Sequence, residues 1–227
     1  PLIDLSADYR LTTSHSFKTW YGTDHKDPSM LSQYTYGLPE INREKIKASK
    51  LIANPGCYPT SVLLGILPLI EKSLIKGSII VDAKSGHSGA GKKLSEILHA
   101  GNVTENMQPY KILNHQHTGE IEQIMTERNN GVPIALTFTP YFMPYERGIL
   151  STIYADLTSS VSQEELKKIY ESRYAGEPFV RLFLDGKLPS PKLCAHTNYC
   201  DIAFVINEKL NRMTILSCID NLVKGAS

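Results

Sequence analysis

The run Leu51-Ile52-Ala53-Asn54-Pro55-Gly56-Cys57-Tyr58-Pro59-Thr60 constrains this chain more than any other stretch. A short apolar segment, Leu51 to Ala53, ends at Asn-Pro-Gly, and a helix-compatible apolar segment follows from Val62 to Ile70. The pattern predicts a strand, a tight turn, and then a helix over residues 60–73 that Pro68 kinks or shortens. Cys57 falls at the turn. The first N–H groups of a helix have no partner within the helix and carry partial positive charge, so they favour thiolate over thiol. Cys57 is therefore a candidate nucleophile. The alternative for a cysteine taken alone is a small buried hydrophobe.

The chain has 227 residues with 41% hydrophobic content, which suits one large domain or two small ones. A formal net charge of +1 provides no basic field for nucleic acid or for a membrane surface. No apolar run approaches the roughly 18 to 20 residues of a membrane-spanning helix, and the start shows no signal-peptide pattern. Cys57, Cys194, Cys200 and Cys218 are too scattered for a disulfide scaffold and point to a reducing, cytoplasmic compartment. Cys194, His196 and Cys200 lack a zinc spacing, so no metal is expected. The chain opens on Pro1 within an apolar run and closes on Lys224-Gly225-Ala226-Ser227, which reads as a fragment of a longer protein.

Periodicity and punctuation predict strands near 1–5, 78–82, 134–139, 148–157, 179–184, 199–206 and 213–219, with 111–113 extended. Helices are predicted over 41–48, 94–99, 120–128 and 162–174, the last with Ser162 and Glu165 as a capping box. Residues 6–39 read as loop with short helical turns, and 207–211 as the turn of a hairpin. Consecutive strands in the second half favour a mixed or antiparallel sheet with helices on one face.

Two further segments carry chemistry. In Asn114-His115-Gln116-His117-Thr118-Gly119-Glu120, two imidazoles precede a predicted helix that Thr118 could cap, with Glu120 and Glu122 at its positive end. A histidine displayed on such a loop titrates near neutrality and suits proton transfer; the alternative is a solvated pair. In Lys84-Ser85-Gly86-His87-Ser88-Gly89-Ala90-Gly91-Lys92-Lys93, glycines and serines between a strand and a helix allow close approach of an anion or cofactor. This nearly matches a P-loop, but Lys93 stands where Mg²⁺ coordination needs Ser or Thr. The spacing also departs from the dinucleotide fingerprint, and a plain surface turn is the other reading. Arg10 and Arg147 carry forks suited to phosphate or carboxylate, though an arginine taken alone is more often a structural salt-bridge partner than a ligand contact.

The chain resembles the N-acetyl-gamma-glutamyl-phosphate reductases of arginine biosynthesis. The resemblance rests on Asp4-Leu5-Ser6-Ala7-Asp8-Tyr9-Arg10, Tyr36-Gly37-Leu38-Pro39-Glu40 and Asn54-Pro55-Gly56-Cys57-Tyr58-Pro59-Thr60. It continues through Ser85-Gly86-x-Ser88-Gly89-Ala90-Gly91, His117-Thr118-x-Glu120-Ile121, Pro144-x-x-Arg147-Gly148 and Asp220-Asn221-Leu222-x-Lys224-Gly225-Ala226, in the family's order and across nearly the whole chain. It implies an NADP(H)-dependent reduction of an acyl phosphate to a semialdehyde through a thioester on Cys57, with His117 as acid and base and backbone amides near Cys57 for the oxyanion. It places His115, Arg147, Arg10, Asn54 and Tyr110 at the substrate, and Ser85, Gly86, Ser88, Gly89, Ala90 and Asn221 at the cofactor. The implied fold is α+β, a glyceraldehyde-3-phosphate-dehydrogenase-like C-terminal domain with a mixed, largely antiparallel sheet covered by helices. By that analogy residues 1–56 are the end of a Rossmann domain, 57–219 the catalytic and oligomerising domain, and 220–227 the start of a return to the nucleotide domain. A homo-oligomer, dimer or tetramer, is implied through the open sheet face.

Two positions depart from the family pattern. Gly119 stands where proline is usual, which predicts a looser helix start, and His196 stands where glycine is usual. No Gly-rich nucleotide fingerprint occurs, which predicts weak NADPH binding by this chain alone. Without the resemblance, the Cys-His pair leaves a hydrolase or acyltransferase open, and a non-catalytic binding module beside it.

Overall fold

A computed structural model describes residues 1–91, 96 and 99–226. Strand β1 (Leu2–Asp4) pairs in parallel with the later strand Leu51–Ala53. Helix α1 (Ser14–Tyr21) follows within the segment predicted as loop. Caps rather than an apolar stripe define it: Thr13 accepts from the Ser16 N–H, and Gly22 closes it in the left-handed region at φ 73°. Phe17 is its buried residue, so the periodic signal is thin. A 3₁₀ turn over Pro28–Gln33 leads to β2 (Thr35–Tyr36), α2 (Pro39–Ala48) and β3 (Leu51–Ala53). The small sheet has the order β1-β3-β2, and its central strand delivers the chain to Asn54-Pro55-Gly56.

Helix α3 (Cys57–Ile70) starts three positions before the predicted Thr60, at the cysteine itself, and every residue after Cys57 is buried. Pro68 lies inside it and does not end it. Proline leaves the carbonyl four residues back without its usual donor. The buried Tyr174 hydroxyl donates to that carbonyl, on Leu64, and Tyr170 donates to Gly65 O at 2.7 Å. The missing helix bond is thus replaced from a neighbouring element.

The main sheet contains β4 (Ile75–Gly86), β5 (Gln108–Pro109), β6 (Leu136–Met143), β7 (Ile149–Leu157), β8 (Val180–Leu182), β9 (Cys200–Asn207) and β10 (Arg212–Ile219). Between β4 and β5 lies the short helix α4 (Ala100–Val103). Strand order is β5-β6-β4-β7-β10-β9-β8, parallel at β4/β6 and β8/β9 and antiparallel elsewhere. One face carries Ile79, Val81, Ile153 and Ile215, which join a core with α3, α5 (His117–Arg128) and α6 (Gln163–Tyr174). The other face leaves Ile80, Tyr154 and Val205 exposed. The predicted capping box of α6 is present, and β9 and β10 form the predicted hairpin with Asn207 opposite Arg212. The short helix α7 (Pro191–Cys194) precedes β9.

Two readings need correction, and a third falls on residues that are not described. Strand β4 continues through Ser85 and Gly86, so the glycine loop is confined to a 3₁₀ turn over His87–Ala90 and Gly91. Lys111 and Leu113 have φ of 44° and 62° and belong to a turn, not an extended segment. Lys92, Lys93 and most of the predicted 94–99 helix lie outside the described residues.

Candidate active site

The site forms where two helix starts meet. Gly56, in extended conformation, is the residue before α3, and Cys57 is the first helical residue. His117 is the first residue of α5. Its imidazole rests on the Cα of Gly56: a Cβ at that position would come within 2.5 Å of His117 Nε2. Gly225 also approaches closely, since a Cβ there would lie 2.8 Å from Cys57 Cβ. Glycine at both positions is what allows the thiol-bearing turn to be enclosed. Cys57 is half-buried and opens into a cavity of about 650 Å³ that also reaches His115, His117, Tyr110, Arg10 and Asn54.

Burial decides the protonation of the central pair. Desolvation pushes the Cys57 thiol up to about 11; its own and the Tyr58 backbone amides and the Arg10 charge pull it down, and Glu120 adds to the rise. The expectation of a resting thiolate is therefore corrected: the helix-end amides act, and burial outweighs them. His117 is held well below the ordinary histidine range, first by burial and then by the His115, Arg10 and Lys111 charges. The resting pair is a neutral thiol beside a neutral imidazole. Among the described residues no hydrogen bond yet joins them.

The two histidines are not displayed on a solvated loop, as the sequence predicted; His115 is 3% and His117 9% exposed. Thr118 does not cap α5, because the helix begins at His117 and leaves Thr118 inside its first turn with a buried, unpartnered hydroxyl. The His117 N–H donates to His115 Nδ1 at 3.1 Å. Since burial and Lys111 lower His115 to about 3, its ring is neutral and the accepting Nδ1 places the proton on Nε2. Nδ1 of His117 is buried without a partner.

Glu120 is a site residue whose target the sequence did not reveal. Fully buried, it accepts from the Gly56 N–H and the Tyr36 hydroxyl, both at 2.8 Å, and lies 3.7 Å from an Arg10 nitrogen. It thus clamps the turn that carries Cys57. Its place in the first turn of α5, three residues after His117, was the visible signal; that it grips Gly56 required the fold.

The other expected site residues divide. Arg10 lines the cavity with its Nε donating to Asn54 O at 2.7 Å. Asn54 and Tyr110 line it too; Tyr110 stacks on Phe142 and donates to the Tyr58 hydroxyl at 3.1 Å. Ser85, Ser88, Gly89, Ala90 and Asn221 line the wall beyond Cys57. The Asn221 amide accepts from Gly148 N at 2.7 Å and donates to Ser88 Oγ at 2.9 Å, fastening the glycine loop. Gly86 is not in the wall but ends β4 tight against the Glu146 and Arg147 backbone. Arg147 also stays outside the cavity lining; it lies 3.4 Å from the buried carboxylate of Asp220. Tyr58, Lys111, Gln116 and Gly225 join the wall without having been anticipated.

The remaining cysteines are buried, and none lines the cavity; Cys194 donates to Asp201 Oδ2 at 3.2 Å. Gly119 does not loosen α5, because the Trp20 indole packs where a Cβ would stand. His196 adopts φ 62°, a conformation natural to glycine, and its N–H donates to Asp220 at 2.6 Å.

A family model described as semialdehyde dehydrogenase, dimerisation domain, matches residues 57–221. An N-acetyl-gamma-glutamyl-phosphate reductase from Pelotomaculum thermopropionicum is 48% identical over 227 residues, covering 100% of this chain and 65% of the relative. One from Desulforamulus reducens is 47% identical with the same coverage. The chain therefore spans 65% of the length of these curated relatives. Among solved structures, aspartate semialdehyde dehydrogenase II from Vibrio cholerae superposes with a TM-score of 0.69 at 17% identity, over 86% of this chain and 65% of that one. The enzyme from Francisella tularensis gives 0.68 at 14%, over 86% and 68%. These likenesses show the fold: the α+β, glyceraldehyde-3-phosphate-dehydrogenase-like C-terminal domain. With the family model spanning both Cys57 and His117, the chain belongs to the semialdehyde dehydrogenase dimerisation-domain family.

Proposed function

We propose that this chain is the substrate-handling part of an N-acetyl-gamma-glutamyl-phosphate reductase, which reduces that acyl phosphate to N-acetylglutamate semialdehyde with NADP(H) and releases phosphate. The observation that carries the reading is the enclosure of Cys57 at a helix start, under the His117 imidazole, in a cavity lined by cations and no described carboxylate. The 47–48% identity to reductases of that name supports it.

The neutral pair explains the order of events. The Cys57 sulfur attacks the acyl carbon while His117, a neutral base, takes the thiol proton. The carbon–oxygen bond to phosphate breaks, leaving a thioester on Cys57. N–H groups at the start of α3 face the developing oxyanion. NADP(H), when bound, supplies the hydride for the reduction. Cys57 then leaves as thiolate from the reduced carbon and recovers its proton from His117, so the pair returns to its starting state.

The cofactor fit rests on the wall from Ser88 to Gly91. A Cβ on Gly89 would approach Ser85 Oγ to 3.0 Å and Asn221 Nδ2 to 3.4 Å, so side-chain-free backbone lies over Asn221 beside Cys57. That surface suits a flat, uncharged nicotinamide ring, with Ser85, Ser88 and Asn221 as its polar contacts. Residues 1–56 then belong with the nucleotide domain, 57–219 form the catalytic and self-associating domain, and 220–227 begin the return. The face bearing Ile80, Tyr154 and Val205 supports a homo-oligomer. No described helix is long and apolar enough to cross a membrane, and a cytoplasmic setting fits four free cysteines.

The test supplies N-acetyl-gamma-glutamyl phosphate and NADPH to the full-length protein. NADPH oxidation equal to phosphate release, with both lost in a folded Cys57→Ser variant, is expected. Phosphate release without NADPH oxidation would make the site a hydrolase and overturn the reading.

A further inference from the structure

Among the described residues, the cavity beside Cys57 is lined by two cations, Arg10 and Lys111. They are not equivalent. Arg10 is committed: it donates to Asn54 O at 2.7 Å and Leu5 O at 3.2 Å, and lies 3.7 Å from the buried Glu120 carboxylate. Its charge is balanced from behind. Lys111 is exposed, and its ammonium has one neutral partner, Gln116 Oε1 at 2.9 Å. Among the described residues no carboxylate pairs with it. An ammonium offers three N–H donors, so Lys111 keeps both charge and donors for a ligand.

The two cations also stand differently to the reacting pair. Arg10 acts on both the Cys57 thiol and the His117 imidazole, whereas Lys111 acts on His115 and His117 and does not figure among the charges that act on the thiol. Lys111 therefore serves the imidazole side of the cavity rather than the sulfur. In an acyl phosphate attacked by Cys57, the phosphate leaves from the carbon bonded to sulfur. In an N-acyl glutamyl chain a second anion, the α-carboxylate, is separated from that carbon by two methylenes and the α-carbon. A cation displaced from the sulfur fits this second anion.

Building on the reductase reading, we propose that Lys111, steadied by Gln116, binds the α-carboxylate of the substrate and so selects an N-acyl amino-acid chain over a simple acyl phosphate. Arg10, by contrast, shapes the Asn54 turn and the electrostatics at Cys57.

The reverse reaction separates the two anions, because the semialdehyde and inorganic phosphate are then independent substrates. In the full-length protein, Lys111→Gln should raise KM for N-acetylglutamate semialdehyde about 10- to 100-fold, the worth of a charge-assisted hydrogen bond. KM for phosphate and kcat should stay within about twofold, and Lys111→Arg should recover most of the loss. A rise in KM for phosphate instead, or no change in either KM, overturns the assignment. A second readout needs no turnover: N-acetyl-L-glutamate should protect Cys57 from iodoacetamide less well in Lys111→Gln than in the parent, while its α-amide protects both equally. Equal protection by the acid in both proteins also overturns it. Absence of NADP-dependent turnover in the parent protein would sink the reductase reading, and the protection ratio would still decide Lys111.

Discussion

Two neutral imidazoles buried beside the thiol should make this protein acid-sensitive in a way that a single substitution can isolate. His115 is lowered from 6.5 to about 3 by burial and the Lys111 charge. The sign follows from linkage: the unfolded chain binds a proton near 6.5, the folded one does not until far lower pH, so the contribution is present above the unfolded value and lost as pH falls. Between about pH 7.5 and pH 5 the unfolded chain gains nearly the whole of that proton. The window is about 1.5 pH units below the unfolded value, and at about 1.4 kcal/mol per unit His115 alone removes about 2 kcal/mol. The perturbation is His115→Gln, whose side-chain oxygen can still accept from the His117 N–H. Urea unfolding at the two pH values gives the loss for parent and variant. Carboxylates that titrate in the same range act on both and cancel in the difference. The variant should lose about 2 kcal/mol less than the parent on acidification. An equal loss would refute the claim that His115 is held neutral by its burial.

The thiol makes a separate prediction. Because Cys57 is pushed up to about 11, its alkylation by iodoacetamide should rise about tenfold per pH unit from about pH 7 to pH 10, while the buried Cys194, Cys200 and Cys218 stay unlabelled in the native protein. A rate that plateaus by about pH 8, or labelling of the other three, would contradict it. Gly119→Ala should cost about 1–3 kcal/mol in urea unfolding, because the new methyl overlaps the Trp20 indole. Adding Trp20→Ala should abolish that extra cost, and a Gly119→Ala single variant as stable as the parent would show that the indole yields freely.

The strand, turn and helix around Cys57, the hairpin 200–219 and the capping box of α6 were all legible in the residue order. Each follows from interactions among residues a few positions apart: apolar period, Pro-Gly punctuation, a serine and a glutamate at cap spacing. Helix α1 was missed for the complementary reason, since it buries little beyond Phe17 and lives on its caps. The candidate residues Cys57 and His117 were singled out from the residue order, and the family resemblance added nine further residues that line the same cavity, among them Arg10 and Asn221.

What residue order alone could not decide is the state of those groups. The helix-end amides that favour a thiolate are local and visible, but the desolvation that overrides them comes from α5, Gly225 and the cavity wall, which arrive from distant parts of the chain. Arg147 looked as suited to a substrate anion as Arg10 until the buried Asp220 claimed it. Glu120 reaches the Gly56 N–H across 64 positions. The order of residues determined which elements form and which groups could react. Only the packed chain determined their protonation and their partners, because solvent exclusion depends on everything that covers a group at once.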